Sequence, residues 1–167
     1  MSLASLEDVF QHELKDVLDA ERQILKALPK MVKAAESEEL KAALEEHRGV
    51  TEEQVGRLET IFESLDKAPR GKHCKGMEGL LSEGSELIEE EEAGAPLDAA
   101  MICAAQKVEH YEIAAYGSLI AYANILGMEE AVELLETTLE EEKEADEKLS
   151  SIASELNFEA QQAAANE

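Results

Sequence analysis

The sequence predicts an all-α protein, a four-helix bundle with one long crossover and a short extra helix. The chain of 167 residues has only 9 Gly and 3 Pro, which is too little turn chemistry for an all-β sandwich. Apolar residues recur at helical spacing along four long segments. Short connections join the first two and the last two of these segments, and a long connection separates the pairs.

The first two long helices are predicted to form an antiparallel hairpin. Ser5, which acids follow, caps the first helix, and Ser37 starts the second after a short connection. Pro29 is expected to kink or thin the first helix, but the apolar stripe continues beyond it. The two stripes contain Leu14, Val17, Leu18, Ile24, Leu25 and Leu28, then Leu40, Ala43, Leu44, Val50, Leu58, Ile61 and Leu65.

A long crossover links this hairpin to the rest of the chain. Residues 67–79 are rich in Pro and Gly and locally basic, and a short helix is predicted over about residues 77–91. We expect the leucines of this short helix to be exposed, and they support a homodimer because large apolar patches mark interfaces between subunits. These leucines are Leu80, Leu81 and Leu87.

The last two long helices are predicted to form a second hairpin. Pro96 and Asp98 open a helix that is apolar around most of its circumference, which is typical of a helix buried in part by a second subunit and predicts a homodimer. Gly127 ends this helix, and the fourth long helix follows directly. Hairpin, crossover and hairpin give the connectivity of ferritin-like folds. We expect a single domain over residues 1–167, frayed from about residue 158.

Charge and targeting signals restrict partners and location. The net charge of −24 repels phosphates, so we expect no nucleic-acid partner and no role on an anionic membrane. The N-terminus lacks the basic and apolar regions of a signal peptide, and the longest apolar stretch, residues 113–128, is interrupted and too short to span a membrane. With no CxxC pair, we expect a reducing, cytoplasmic location, Cys103 in the core and Cys74 in an exposed loop.

Each long helix carries one polar residue at the centre of its apolar stripe. These residues are Glu21, His47, Glu109 and Glu142. Counted from the hairpin turns at 1.5 Å per residue, the partners within each hairpin differ in height by only about 5 Å. Glu112 and Asp146 share the faces of Glu109 and Glu142, respectively, and add further oxygens.

Several carboxylates buried at one level need compensation by protons or cations, because unpaired buried carboxylates are costly and repel each other. Two divalent ions bridged by carboxylates supply it, and a carboxylate and imidazole set suits Fe or Mn. Two features favour a site without metal. The Glu-x-x-His spacing of di-iron bundles is absent from the second and fourth long helices, and a single histidine is placed to act as a ligand.

Four segments of the chain are recognisable: LKDVLDAERQILKALPKM, AALEEH with the later TEEQVGRLE, AAQKVEHYEIAAYGSLIAYA and TLEEEKEADEKL. They closely resemble the YciE/YciF-type bacterial ferritin-like family. The resemblance covers about residues 6–153 and implies a homodimeric four-helix bundle related to rubrerythrins, a dimetal site and an association with bacterial stress responses.

All six candidate ligands fall in these matching segments: Glu21, His47, Glu109, Glu112, Glu142 and Asp146. After His47, the family leads us to expect acids where this chain has Gly49 and Val50. The second long helix therefore offers fewer carboxylates than the resemblance implies.

Two functions of different classes follow. In the first, a dinuclear Fe or Mn site performs redox chemistry with a small oxidant, O₂ or peroxide. Glu21 and Glu109 are then terminal ligands, Glu112 and Glu142 bridge the ions, and His47 is the nitrogen ligand. The groups expected to supplement or orient these ligands are Asp146, Tyr116 and Gln54.

In the second function, the protein is a non-enzymatic, dimeric helical stress-response module without catalytic metal. Its buried acids are then protonated or bridged by water. An iron-storage cage is disfavoured, because the sequence identifies no surface for cage assembly.

Overall fold

The computed structural model describes residues 3–163 and confirms the all-α fold. The long helices pair as two hairpins, α1 with α2 and α4 with α5, and α3 packs on α1 and α4. No β-strand occurs in the described part of the chain. The five helices are α1 (Leu6–Ala34), α2 (Glu38–Ser64), α3 (Lys75–Glu90), α4 (Ala95–Leu126) and α5 (Glu129–Ala163).

The helix ends follow the signals in the sequence. The Ser5 hydroxyl accepts a hydrogen bond from the Asp8 backbone N–H at 3.1 Å, and the Asp8 carboxylate accepts one from the Ser5 backbone N–H, so that they form a capping box. The Ser37 hydroxyl caps α2 by accepting a hydrogen bond from the Leu40 backbone N–H at 3.3 Å, and α1 continues through Pro29. Gly127 ends α4 with a φ of 70°, a left-handed conformation that glycine adopts without steric cost.

A buried carboxylate ties the two hairpins together. Asp98 is 1% exposed and lies in the first turn of α4. It accepts hydrogen bonds from the backbone N–H groups of Glu36 at 3.0 Å and Ser37 at 2.7 Å. The short connection between α1 and α2 is therefore held against the start of α4.

The interior contains two apolar cores at different heights in the bundle. The core near the α1–α2 connection, which we call the α3 core, includes Ile24, Leu28, Leu44, Val108 and Leu149, and α3 packs on it. The far core lies towards the other end of the bundle. It includes Phe10, Leu14, Leu58, Tyr116 and Leu135.

Several local expectations are wrong. Cys103, which the sequence predicts in the core, is exposed. The expectation fails because α4 is apolar on so many sides that the sequence does not show which side faces outwards. Cys74 is buried, because it caps α3: its Sγ accepts a hydrogen bond from the Met77 backbone N–H at 3.4 Å. The leucines of α3 are partly buried and pack against the α3 core: Leu80, Leu81 and Leu87.

The C-terminal tail is more regular than expected. Helix α5 continues to Ala163, so residues 158–163, which we expected to fray, are helical. Residues 164–167 of the expected frayed tail lie outside the described residues. No described helix combines the length and the apolar character that a membrane span requires.

Candidate metal centre

Four of the six predicted residues come together between the two apolar cores. His47, Glu109, Glu112 and Glu142 each offer one ligand atom, and these four atoms lie within 4.8 Å of one another. The three glutamates are at most 2% exposed, and the side chain of His47 is 12% exposed. His47 Nε2 lies 3.5 Å from Glu109 Oε1. Helices α2, α4 and α5 therefore supply one compact set of carboxylates and an imidazole.

Glu21 of α1 borders this set. It is fully buried, and one of its carboxylate oxygens accepts a hydrogen bond from the Tyr116 hydroxyl. Burial and then the negative charge of Glu142 raise the pKa of Glu21, so each of these two carboxyl groups disfavours ionisation of the other. Glu21 is thus a fifth member of the same polar layer, although it is not among the four closest groups.

Asp146 lies outside the set, towards the edge of the bundle. It accepts a hydrogen bond from Gln106 Nε2 at 3.0 Å, and His110 Nε2 lies 3.3 Å from its other carboxylate oxygen. Four residues beyond Glu142, it is about one turn further along α5 and about 40° around it. That displacement takes its side chain away from the other acids and towards exposed groups of α4.

Buried polar atoms without a hydrogen-bond partner are concentrated in this layer. Within the described residues, every unpartnered buried side-chain nitrogen or oxygen belongs to one of six residues of the layer. Buried polar groups are normally satisfied, and Asp98 is an example of a satisfied carboxylate in this same protein. The unpartnered atoms are Glu21 Oε2, His47 Nε2, Gln54 Oε1, Glu109 Oε2, both carboxylate oxygens of Glu112, and Glu142 Oε2.

The ionisation of these groups is strongly displaced. Burial, with the charge of Glu142, raises the pKa of Glu21 to about 8, and burial raises the pKa of Glu109 to about 7. Burial and neighbouring carboxylates also hold the pKa values of Glu112 and Glu142 well above the usual range. Burial lowers the pKa of His47, so its imidazole is neutral and keeps a lone pair free. Without a cation, the layer must hold protons instead.

The donor set fits a divalent cation. Carboxylate oxygens with one neutral imidazole suit Fe or Mn, and cations would satisfy the unpartnered atoms and remove the repulsion between the acids. The Glu-x-x-His pattern is nevertheless missing, as the sequence indicates. Leu44 stands three residues before His47, and Ala145 stands three residues after Glu142.

A second layer of polar groups supports one side of the set. Gln54 donates from Nε2 to Glu142 Oε1 at 2.5 Å and to Glu141 Oε2 at 3.2 Å. Arg57 makes two hydrogen bonds to Glu141, at 2.6 and 2.7 Å. The sequence predicts a supporting role for Gln54 but not for Arg57 and Glu141, because an acidic run such as residues 140–142 is typical of a solvated helix face. The signal available was Arg57, a cation three residues after Gln54 on the same helical face.

Comparison with known proteins places this geometry in a family. Residues 5–164 match the family described as "Domain of unknown function (DUF892)". The chain is 46% identical to the protein YciF of Escherichia coli (strain K12) over 155 residues, which cover 92% of this chain and 93% of the relative.

Solved structures give the same assignment. The crystal structure of YciF, described as an E. coli stress protein, matches with a TM-score of 0.89 and 43% identity and covers 93% of this chain and 98% of that one. YcfI from Rhodopseudomonas palustris, described as a candidate structural protein, matches with a TM-score of 0.87 and 43% identity over 89% and 95% of the two chains. A protein from Xanthomonas campestris shares the fold at 20% identity with a TM-score of 0.74, over 95% and 98% of the chains. The chain therefore belongs to the DUF892 family and is a homologue of YciF with a ferritin-like helical fold.

Proposed function

We propose that this protein is a bacterial stress-response protein that binds divalent Fe or Mn, as a dinuclear site, between its two apolar cores. The observation that carries the proposal is the concentration of unpartnered buried atoms in one layer. Such atoms are costly unless something satisfies them, and carboxylates together with a neutral imidazole are cation ligands. The relation to a protein described as a stress protein supports the biological setting.

The ligands in this proposal come from all four long helices. His47, Glu109, Glu112 and Glu142 would hold the ions, and Glu21 would complete the set from α1. The ions would supply redox chemistry with a small oxidant, O₂ or peroxide. The protein's own groups bind and orient: Tyr116 fixes one oxygen of Glu21, and Gln54 fixes one oxygen of Glu142. The cytoplasmic location expected from the sequence is part of this proposal.

A non-enzymatic helical module is the second candidate. The raised pKa values of the buried glutamates favour it, because protonated acids can share hydrogen bonds without any metal. The missing Glu-x-x-His pattern and the description of the R. palustris homologue as a candidate structural protein point the same way.

Equilibrium metal binding separates the two candidates. Metal-free protein is titrated with Mn(II), and with Fe(II) under anaerobic conditions, and the bound metal is counted. We expect Glu112→Gln to weaken binding strongly, because both of its buried carboxylate oxygens are available as ligands. Glu144→Gln removes the same charge from an exposed position on α5 and is the matched control. Wild-type protein that binds no metal supports the non-enzymatic module, and a Glu112→Gln variant that binds as well as the control contradicts the proposed ligand set.

A further inference from the structure

A small cavity lies directly beside the candidate metal centre, on the side of the α3 core. Its volume is about 40 Å³, and all five helices contribute to its wall. Ile24, Leu44, Val108 and Leu149 belong to the apolar part of that wall. His47 and Glu109 also line it, so the cavity reaches two of the candidate ligands.

The mostly apolar wall of the cavity favours an apolar guest over water. Apart from His47, Glu109 and Lys148, the side chains around the cavity are apolar. A cavity with apolar walls offers a water molecule too few hydrogen bonds, so such cavities stay dry and accept apolar guests such as xenon. With its volume of about 40 Å³, the cavity has room for a diatomic gas or one xenon atom.

The sequence explains why this side of the centre is apolar. The cavity is lined by Leu44 and by Ala145. These residues occupy the positions at which the Glu-x-x-His pattern of di-iron bundles would place a Glu before His47 and a His after Glu142. Two potential polar ligands are thus replaced by apolar groups, and one of them, Ala145, is much smaller than a histidine.

A groove on the surface adjoins the cavity. It has a volume of about 420 Å³ and is formed by α1, α3 and α4. Groove and cavity share five lining residues. On the α2–α5 side, Lys148 lines the cavity and its ammonium group is paired with Glu46. The shared residues, which we call the neck, are Ala27, Met31, Leu81, Ala105 and Val108.

We propose that this cavity binds a small, uncharged, apolar molecule of the size of dioxygen next to the candidate metal centre, and that the molecule enters from the groove through the neck. The inference rests on the proposed function and names its oxidant class. Dioxygen crosses an apolar neck without losing hydrogen bonds, whereas peroxide must give up its hydrogen bonds to water. Anionic oxidants are further excluded by the net charge of −24.

Xenon and dioxygen can be used as probes on the metal-free protein, so the test does not depend on metal. The methyl signals of Ala105, Val108 and Leu149 are followed by NMR under xenon pressure and then under dissolved O₂, which is paramagnetic. We expect xenon-induced shifts and O₂-induced relaxation at these methyl groups, larger than at the exposed methyl group of Ala42.

The variant Ala105→Leu fills the neck, and Ala42→Leu is the matched control at an exposed position of α2. We expect the xenon shifts to be lost in Ala105→Leu and kept in Ala42→Leu. Absence of xenon and O₂ effects in wild-type protein, or persistence of both effects in Ala105→Leu, would overturn the inference. If Ala105→Leu does not fold, the xenon and O₂ effects in wild-type protein still test whether the cavity binds an apolar molecule. A separate Mn(II) titration reports on the proposed function: failure to bind metal with intact xenon binding counts against the metal centre, not against the cavity.

Discussion

The buried acids of this protein fall into two groups according to their hydrogen bonds. Asp98 is satisfied by two backbone N–H groups, whereas the carboxylate oxygens of Glu112 have no partner other than the neighbouring carboxyl group of Glu21. A satisfied carboxylate stabilises the fold by itself, but an unsatisfied one is costly unless a proton or cation accompanies it. The distinction separates acids that build the fold from acids that are candidates for function.

The geometry predicts that Asp146 is not a metal ligand. It points towards Gln106 and His110, away from the compact set of four. We expect Asp146→Asn to bind Mn(II) with the stoichiometry of the wild type and with similar affinity. The reason is that the six residues of the layer that carry unpartnered buried atoms are unchanged. Loss of one bound ion per chain in this variant would show that Asp146 is a ligand after all.

The two cysteines are predicted to differ sharply in reactivity. Cys103 is exposed, whereas Cys74 is 1% exposed and its Sγ lies 3.0 Å from the Tyr111 hydroxyl. Burial also raises the pKa of the Cys74 thiol, which lowers the fraction of reactive thiolate. We expect a thiol reagent to modify Cys103 quickly and Cys74 only after unfolding, as read by mass spectrometry. Equal rates for the two thiols in native protein would contradict the structure.

At the scale of helices, the sequence contains most of the information needed for the bundle. Serine caps, a terminal glycine and apolar stripes define the ends and inner faces of the long helices. The stripes also place Glu21, Glu109 and Glu142 in the interior, where the structure finds them buried. Their use as metal ligands stays a prediction.

The sequence is less informative where a feature depends on contacts between helices. The pairing of Arg57 with Glu141 requires knowing how α2 and α5 are rotated towards each other. Asp146 is on the correct helix but one turn away from the ligand level. The orientation of Cys103 could not be predicted, because the apolar stripe of α4 extends around most of the helix.

The connection of the two hairpins through Asp98 gives a prediction at this scale. Asp98→Ala removes the acceptor for the Glu36 and Ser37 N–H groups and leaves them unpaired. We expect the free energy of unfolding to fall by about 3 kcal/mol, as is typical for hydrogen bonds to a buried charged acceptor. Urea denaturation measures the effect, with the exposed acid Glu92, changed to Ala, as the control. A loss no larger than that of the control would contradict this role.

The whole molecule is predicted to lose stability with rising pH when it contains no metal. The pKa of Glu21 is about 8 and that of Glu109 about 7 in the folded protein, against an ordinary value of 4.5. Between these values the folded state holds protons that the unfolded chain releases, so the free energy of unfolding falls as pH rises. Urea midpoints measured from pH 4.5 to 8 test this in chelator-treated protein. A midpoint that rises with pH across this range would be inconsistent with it.

We also propose that the protein is a homodimer, as the apolar circumference of α4 predicts. Ile125 on α4 is 75% exposed and Ala114 and Ala121 are exposed, so apolar side chains of this helix remain uncovered in the single chain. Sedimentation velocity at micromolar concentration and moderate salt, which screens the repulsion between two acidic chains, measures the mass directly. We expect twice the mass of one chain, and the mass of a single chain would contradict the proposal.

Thermal unfolding of Glu109→Gln, with and without Mn(II), tests the metal centre most directly. Without metal, the variant is expected to melt at or above the wild-type temperature, because one buried repulsive charge is removed while the shape of the side chain is kept. With Mn(II) in excess, binding to the folded state should raise the melting temperature of the wild type above that of the variant. A Glu109→Gln variant that still melts higher than the wild type with Mn(II) present would contradict the assignment of this layer as a metal centre.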